Sequence, residues 1–303
     1  MVKLYLHLFI GFFFSLFVVG CSSARERHAN DRRNLRTTDA EVEQELIIPD
    51  ASNNEEGSCT SVEYQPIADP QPVSGLMELA RVTSNQPQQV IQHIGYTVSY
   101  NPSWFIPNWV AYELTLSEVN GSVPRSNDFA PDPEITDPVM EYEYKGSGYD
   151  RGHMAPAADM KWSRQAMSES FYMSNMCPQN HNLNDKDWKY LEEHVRGLAQ
   201  RFDNVYVCCG PIVTSTEHTI GSYHSIVVPQ AFYKVLLRRK GDSWSAIGFR
   251  MENKSRSGKF PLSHFAMSVN ELENVCGIDF FYSLSDHIEE EIESSYNLSD
   301  WNL

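Results

Sequence analysis

The 303-residue sequence has 6 cysteines but no C-x-x-C spacing among them, which removes the usual frame of a cysteine zinc site. It has no apolar run as long as the roughly 20 residues that a membrane-spanning helix needs. It has no internal repeat, which excludes solenoid and propeller arrays. It has no G-x-x-x-x-G-K phosphate loop, since the KGSG before Tyr149 carries turn chemistry only. Basic charge is also scarce, the formal net charge being -16, so a polybasic chain that coats polyanions along its whole length is excluded.

What is present begins with MVKLYLHLFIGFFFSLFVVGCSS, where an apolar run from Leu8 to Gly20 follows Lys3. Its length suits the h-region of a signal peptide, assigned to residues 1–20. VVGC resembles the lipobox of bacterial lipoproteins, which implies that Cys21 is the lipidated first residue of the mature chain and its membrane attachment. Ordinary secretion with cleavage near Gly20 or Ala24 is the other reading. Either one places the protein outside the cytoplasm, in a bacterial cell envelope or secreted. That compartment permits disulfides, and beyond Cys21 the cysteines are Cys59, Cys177, Cys208, Cys209 and Cys276, an odd number that leaves at least one thiol unpaired or paired between chains.

Residues 21–74 are polar, first arginine-rich and then acidic, without sustained periodicity, and read as a flexible tether. From about Gly75 the composition changes. VIQHIGYTVSYNPSWFIPNWVAYELTLSEVNG predicts a hairpin or meander. SVPRSNDFAPDPEI is too rich in Pro and Asp for a central strand. Trp188, Leu191, Val195 and Leu198 recur at helical spacing in DKDWKYLEEHVRGLAQRF. NVYVCCGPIV, HSIVVPQAFYKVLLRR and SWSAIGFRM predict strands, with adjacent Cys208 and Cys209 facing opposite sides. A short helix is expected from Ser268 to Gly277. Strands on both sides of one long helix, without β-α alternation, give an α+β domain with a mostly antiparallel sheet over residues 75–285. Residues 286–303 read as an acidic C-terminal tail.

The acid excess sits in the flanks. Between Arg125 and Lys259 the sequence carries 17 Lys plus Arg and 17 Asp plus Glu, so whole-chain charge says little about this region. Tyr149 to Arg196 concentrates histidine, asparagine, glutamine, carboxylates and arginines around the predicted helix. That inventory suits phosphodiester hydrolysis, which needs a base for water, a hard cation for developing charge, and donors for phosphate oxygens. Histidine accepts a proton near neutral pH, magnesium takes oxygen ligands and keeps several waters, and arginine matches phosphate geometry. Asn184, Trp188, Glu192 and Arg196, each four residues apart, share one slowly drifting helix stripe.

DRGH at Asp150 to His153, SNMCPQ at Ser174 to Gln179, and LNDKDWKYLEEHVR at Leu183 to Arg196 resemble the signature of the DNA/RNA non-specific endonucleases. YKGSGYDRGHMAPAA, WSRQAM, FYMSNMCPQ and NVYVCCGP follow in the same order. The resemblance implies a ββα-metal (His-Me finger) catalytic core and a Mg²⁺-dependent, sugar-non-specific endonuclease acting on DNA and RNA, with Mn²⁺ as a substitute ion. It implies that His153 is the general base and Asn184 the protein ligand of the metal. Glu192 would orient water of the ion, Asn175 would fix the site, Arg151 would contact phosphate, and Arg125 would be the upstream phosphate-binding arginine. Arg196 has the spacing for a supporting role. Products would carry 5′-phosphates.

Each assignment has a plainer counterpart. His153 alone reads as a structural histidine, Asn184 as a helix N-cap, and Glu192 as a solvated or Arg196-paired acid. Asp150 is expected to hold the turn, and Trp162 and Trp188 to be core. Cys177, inside SNMCPQ, could pair and restrict its loop. Two alternatives to the nuclease are a catalytically silent nucleic-acid-binding lipoprotein and a phosphodiesterase of small nucleotides. DNA or RNA preference, cysteine pairing and oligomeric state, homodimer included, are left open.

Overall fold

The computed structural model describes residues 76–303. The signal peptide, Cys21, Cys59 and the tether therefore lie outside the described residues. The described residues fall in one compact unit. In chain order its elements are β1 (Ala80–Val82), β2 (Gln89–Gln92), β3 (Thr97–Asn101), β4 (Ile106–Thr115), α1 (Leu116–Val119), β5 (Asp150–His153), α2 (Arg164–Glu169) and β6 (Met176–Gln179). There follow α3 (Lys189–Phe202), β7 (Asn204–Ile212), β8 (Thr219–Ile220), β9 (Ile226–Val227), β10 (Ala231–Lys240), β11 (Ser243–Glu252), β12 (Ala266–Met267), α4 (Val269–Cys276), β13 (Ile278–Phe280) and α5 (Asp286–Glu293).

The frame is a seven-stranded sheet in the order β12-β11-β10-β7-β4-β3-β2, with every described pairing antiparallel. This is the α+β, mostly antiparallel architecture expected from the sequence. β2 to β4 form the predicted meander, with a register shift at Ser99/Tyr100. Both faces of the sheet are covered, so the central strands are apolar on both sides rather than alternating. Cys208 and Cys209 show this directly: Cys208 packs with Ala111, Tyr233, Leu272 and Phe280, and Cys209 packs with Leu191, Val195 and Phe232 in the opposite layer.

α3 forms on the predicted stripe. Leu191, Val195 and Leu198 are buried against the sheet, while Lys189, Glu193 and Arg201 face water. Asp203, at φ 71, turns the chain out of the helix and into β7. α4 starts on a capping box between Ser268 and Glu271 and ends at Gly277, whose φ of 65 suits glycine. Both ends agree with the sequence reading.

The four described cysteines, Cys177, Cys208, Cys209 and Cys276, are free thiols. The pairing considered for Cys177 is therefore not made among the described residues. The side chain is fully buried, and burial raises its pKa well above the ordinary thiol value, which keeps it protonated and unreactive.

The stretch expected to be an acidic tail, 286–303, is instead folded. The acidic composition concealed three apolar anchors: Ile292 and Trp301 are buried and Leu298 packs against the same core as α3. Arg238 donates through Nε and Nη2 to the carbonyl of Asp300 at 3.1 and 2.6 Å, which holds the final turn against β10.

Candidate active site

β5 and β6 pair antiparallel in a two-stranded ribbon apart from the main sheet, in the register Asp150↔Gln179, Arg151↔Pro178, Gly152↔Cys177 and His153↔Met176. A π-helical turn over Leu183–Trp188 follows and runs into α3. Ribbon and helix together make the ββα unit. Strand alternation puts Arg151 and His153 on one face of β5, and Asp150 and Gly152 on the other. Gly152 sits where the Gln179 side chain crosses the strand: a Cβ there would come within 2.6 Å of Gln179 Cβ.

His153 is 9% exposed, and its Nε2 is buried without a hydrogen-bond partner. Phe171 meets the imidazole edge-on at 5.0 Å between centroids, and Phe129 lies at 5.7 Å. The two arginines that DRGH and SVPRSNDF supply stack on those same rings. The Arg151 guanidinium lies 4.0 Å from the Phe129 centroid and that of Arg125 lies 4.8 Å from Phe171. Burial, reinforced by the charges of Arg125 and Arg151, lowers the His153 pKa to about 3, so the imidazole is neutral at physiological pH.

Asn175 is fully buried and bound to backbone on every side. Its Oδ1 accepts from the Ala155 N–H at 2.9 Å, and its Nδ2 donates to the carbonyls of Ala155 and Ser170 at 2.9 and 2.8 Å. It thereby pins the chain just after His153. Glu192 is partly buried, and burial pushes its pKa up to about 7 against the opposing pull of Lys234, Arg196 and Arg125. Arg196 instead donates to Asp159 at 2.8 Å, a buried carboxylate that also accepts from Tyr112 Oη at 3.0 Å. The helix stripe is thus divided: Trp188 is core, Arg196 serves a buried ion pair, Asn184 lines the cleft, and Glu192 feels the charges of Arg196 and Arg125.

Asn184 does not cap a helix. It lies inside the π-helical turn, and its Nδ2 donates to Asp150 Oδ2 at 2.9 Å. His181 Nδ1–H donates to the same carboxylate oxygen, also at 2.9 Å. An ionised carboxylate only accepts, so Asp150 obliges Asn184 to offer its NH₂ and turns the amide oxygen elsewhere. Asp150 and Asn184 line a cleft of about 580 Å³ together with Arg125, Arg151 and Lys145. A single amide oxygen is a hard donor that leaves most coordination positions to water, which fits a water-rich cation such as Mg²⁺. Among the described residues no group of three or more His, Cys, Asp or Glu could hold a metal, so a ligand-rich cage is not the form the site takes.

The residues that sequence reasoning singled out therefore fall into two sets. Arg125, Arg151 and His153 share the Phe129–Phe171 pair, and Asn184 lies across from DRGH. Asn175 touches backbone rather than the cleft. Asp150 is the residue whose part was missed: its place in DRGH, alternating with Gly152 away from His153, carried the signal. His181 also contacts Asp150, and nothing in its spacing revealed that contact.

The family model of the DNA/RNA non-specific endonucleases matches residues 77–287. Mitochondrial nuclease EXOG of Xenopus laevis is 37% identical over 210 residues, 64% of this chain and 58% of its own length. Nuclease C1 of Cunninghamella echinulata var. echinulata is 34% identical over 209 residues, 64% of this chain and 83% of its own. Mitochondrial endonuclease G of Bos taurus is 34% identical over 221 residues, 67% of this chain and 72% of its own. This chain spans little more than half the length of the Xenopus relative. A crystal structure of an EndoG/EndoGI complex superposes with a TM-score of 0.64 at 32% identity, covering 73% of this chain and 96% of that one.

Proposed function

Since the chain belongs to the DNA/RNA non-specific endonuclease family, we propose that it is an endonuclease that hydrolyses phosphodiester bonds of DNA and RNA with the help of a divalent cation. The observation that carries the mechanism is the unpartnered Nε2 of His153, enclosed between two phenylalanines on which Arg125 and Arg151 are stacked. His153 takes the proton of the attacking water, and the two guanidiniums receive the phosphate.

The low basicity of His153 in the free protein has a purpose in this scheme. Burial contributes most of the shift, and the two arginines add to it. A phosphate dianion or diester seated between Arg125 and Arg151 offsets their charge, so His153 becomes a better base once substrate is bound. Asn175 keeps the backbone after His153 in place for that transfer. Asn184, oriented by Asp150, is the protein oxygen that would hold the cation, and Glu192 would orient water near it. The cation, Mg²⁺ with Mn²⁺ as substitute, supplies charge neutralisation at the phosphate when bound.

Phosphate contacts carry no sequence information, so cleavage is expected to be indifferent to sequence and weakened by salt. The leader reading joins this proposal: export, with Cys21 lipidated or the chain secreted, is tested by the mass of the mature amino terminus. Among the described residues no helix is long and apolar enough to cross a membrane. Digestion of plasmid DNA and of RNA with Mg²⁺ and with EDTA tests the function. Cleavage that requires the cation and disappears in His153→Ala is expected, and full activity in that variant would overturn the mechanism.

A further inference from the structure

The cleft beside Asn184 has a second wall that the mechanism does not use. It is a single 3₁₀ turn, Glu141–Tyr144, whose first two residues are exposed and whose last two are buried. Glu143 and Tyr144 are buried, whereas Tyr142 is 56% exposed and lines the cleft together with Lys145, Arg125 and Arg151. One exposed tyrosine on a surface is ordinary. What distinguishes this one is how firmly its backbone is held and what surrounds it.

The buried Glu143 carboxylate fixes the turn. It accepts from the Met140 N–H at 3.0 Å, the His224 N–H at 2.8 Å, the Tyr223 N–H at 3.3 Å and His224 Nδ1–H at 2.8 Å. At the start of the turn, Arg151 Nη1 binds Glu141 at 3.2 Å, tying this wall to the phosphate-binding arginine. Tyr142 is thus an aromatic ring with two side-chain torsions, on a preorganised turn, at the edge of a cleft lined by three cations. An exposed ring that shares a cleft with cations is what an unstacked base uses: every base has a π-face, while the cations follow its backbone.

We propose that Tyr142 is a stacking platform for an unpaired base next to the phosphate held by Arg151, and that the cleft therefore takes single-stranded DNA or RNA segments in preference to intact duplex. This rests on the nuclease reading above. In a duplex both faces of each base are covered by its neighbours, so no face is offered to Tyr142. A single strand offers one at no cost in unpairing.

Fluorescence anisotropy in EDTA, where nothing is cleaved, tests the platform with a short labelled single-stranded oligonucleotide and the same sequence as a hairpin duplex. Base–aromatic stacking predicts that Tyr142→Ala raises the single-strand Kd by about tenfold, leaves the duplex Kd within about twofold, and that Tyr142→Phe restores binding. An equal loss on both probes, no loss on either, or a wild type that binds neither overturns the proposal. Failure of the nuclease reading is seen separately, as no Mg²⁺-stimulated cleavage of either probe by the wild type. A wild type that cleaves both probes, with a Tyr142→Ala variant that binds the single strand as well as it does, overturns the platform alone.

Discussion

Asp150 accepts a hydrogen bond from Asn184 at 2.9 Å across the junction of the ribbon and the π-helical turn, and this contact decides which atom of Asn184 faces the cleft. Orientation of a ligand by an outer partner typically changes metal affinity by about 10–100-fold. Asp150→Ala is therefore expected to raise the half-activating Mg²⁺ concentration within that range, with kcat at saturating metal reduced less. Titration of cleavage against Mg²⁺, alongside calorimetric titration with Mg²⁺ alone, reads both quantities. An unchanged metal dependence would show that Asn184 needs no orienting partner.

Gly152 and Gly197 predict opposite outcomes for the same substitution. A Cβ on Gly152 meets Gln179 Cβ at 2.6 Å, next to His153, whereas a Cβ on Gly197 meets nothing within 4 Å. Overpacking at a buried site costs about 1–3 kcal/mol, so Gly152→Ala should lower Tm and displace His153, with a fall in kcat. Gly197 lies in the exposed side of α3, where replacing glycine by alanine gains about 1 kcal/mol. Gly197→Ala should raise the urea midpoint and leave cleavage unchanged.

The pH dependence of stability carries two opposed contributions from the site. His153 has its pKa lowered from 6.5 to about 3. Between those values the unfolded chain binds a proton that the folded chain does not, so stability is lost as pH falls through this window. Glu192 has its pKa raised from 4.5 to about 7. Between those values the folded chain keeps a proton that the unfolded chain sheds, so stability is lost as pH rises through that window. His153→Gln should flatten the acid side of a plot of urea midpoint against pH, and Glu192→Gln should raise the midpoint at pH about 8 while leaving it unchanged at pH about 4. A Glu192→Gln effect confined to low pH would contradict the assignment.

The helix of Leu191, Val195 and Leu198, the meander, and the short helix between Ser268 and Gly277 were legible because periodicity and caps are local properties. His153 and Arg151 were singled out through the DRGH resemblance, and the strand that puts them on one face appears only in the fold, where β5 pairs with β6. Three further features were not legible. The π-helical turn at Leu183–Trp188 shifts Asn184 away from a capping position, and its bonding differs from an α-helix by one residue in register, which no composition reveals. Stacking of Arg125 and Arg151 on Phe171 and Phe129 joins positions far apart in sequence. At the C-terminus, acidity masked Trp301, whose burial depends on the distant Arg238 and α3.

In the proposed mechanism Arg151 joins phosphate binding to the stacking on Phe129 and the lowered basicity of His153, and a substitution there separates the three. Its guanidinium lies over Phe129 at 4.0 Å and reaches Glu141 at 3.2 Å, a pair of contacts that a lysine ammonium, compact and without a plane, does not reproduce. Removing one cation that contacts phosphate should reduce the slope of log Kd against log salt by about 1, measured in EDTA with a single-stranded oligonucleotide. Arg151→Ala should therefore raise KM and lower that slope, and Arg151→Lys should restore the slope without restoring KM. Loss of its charge also relieves part of the depression of the His153 pKa, so the window in which acid destabilises the fold should narrow from its lower edge in Arg151→Ala and not in Arg151→Lys. Equal salt slopes for wild type and Arg151→Ala would remove Arg151 from the phosphate contact, whatever the variant does to the rate.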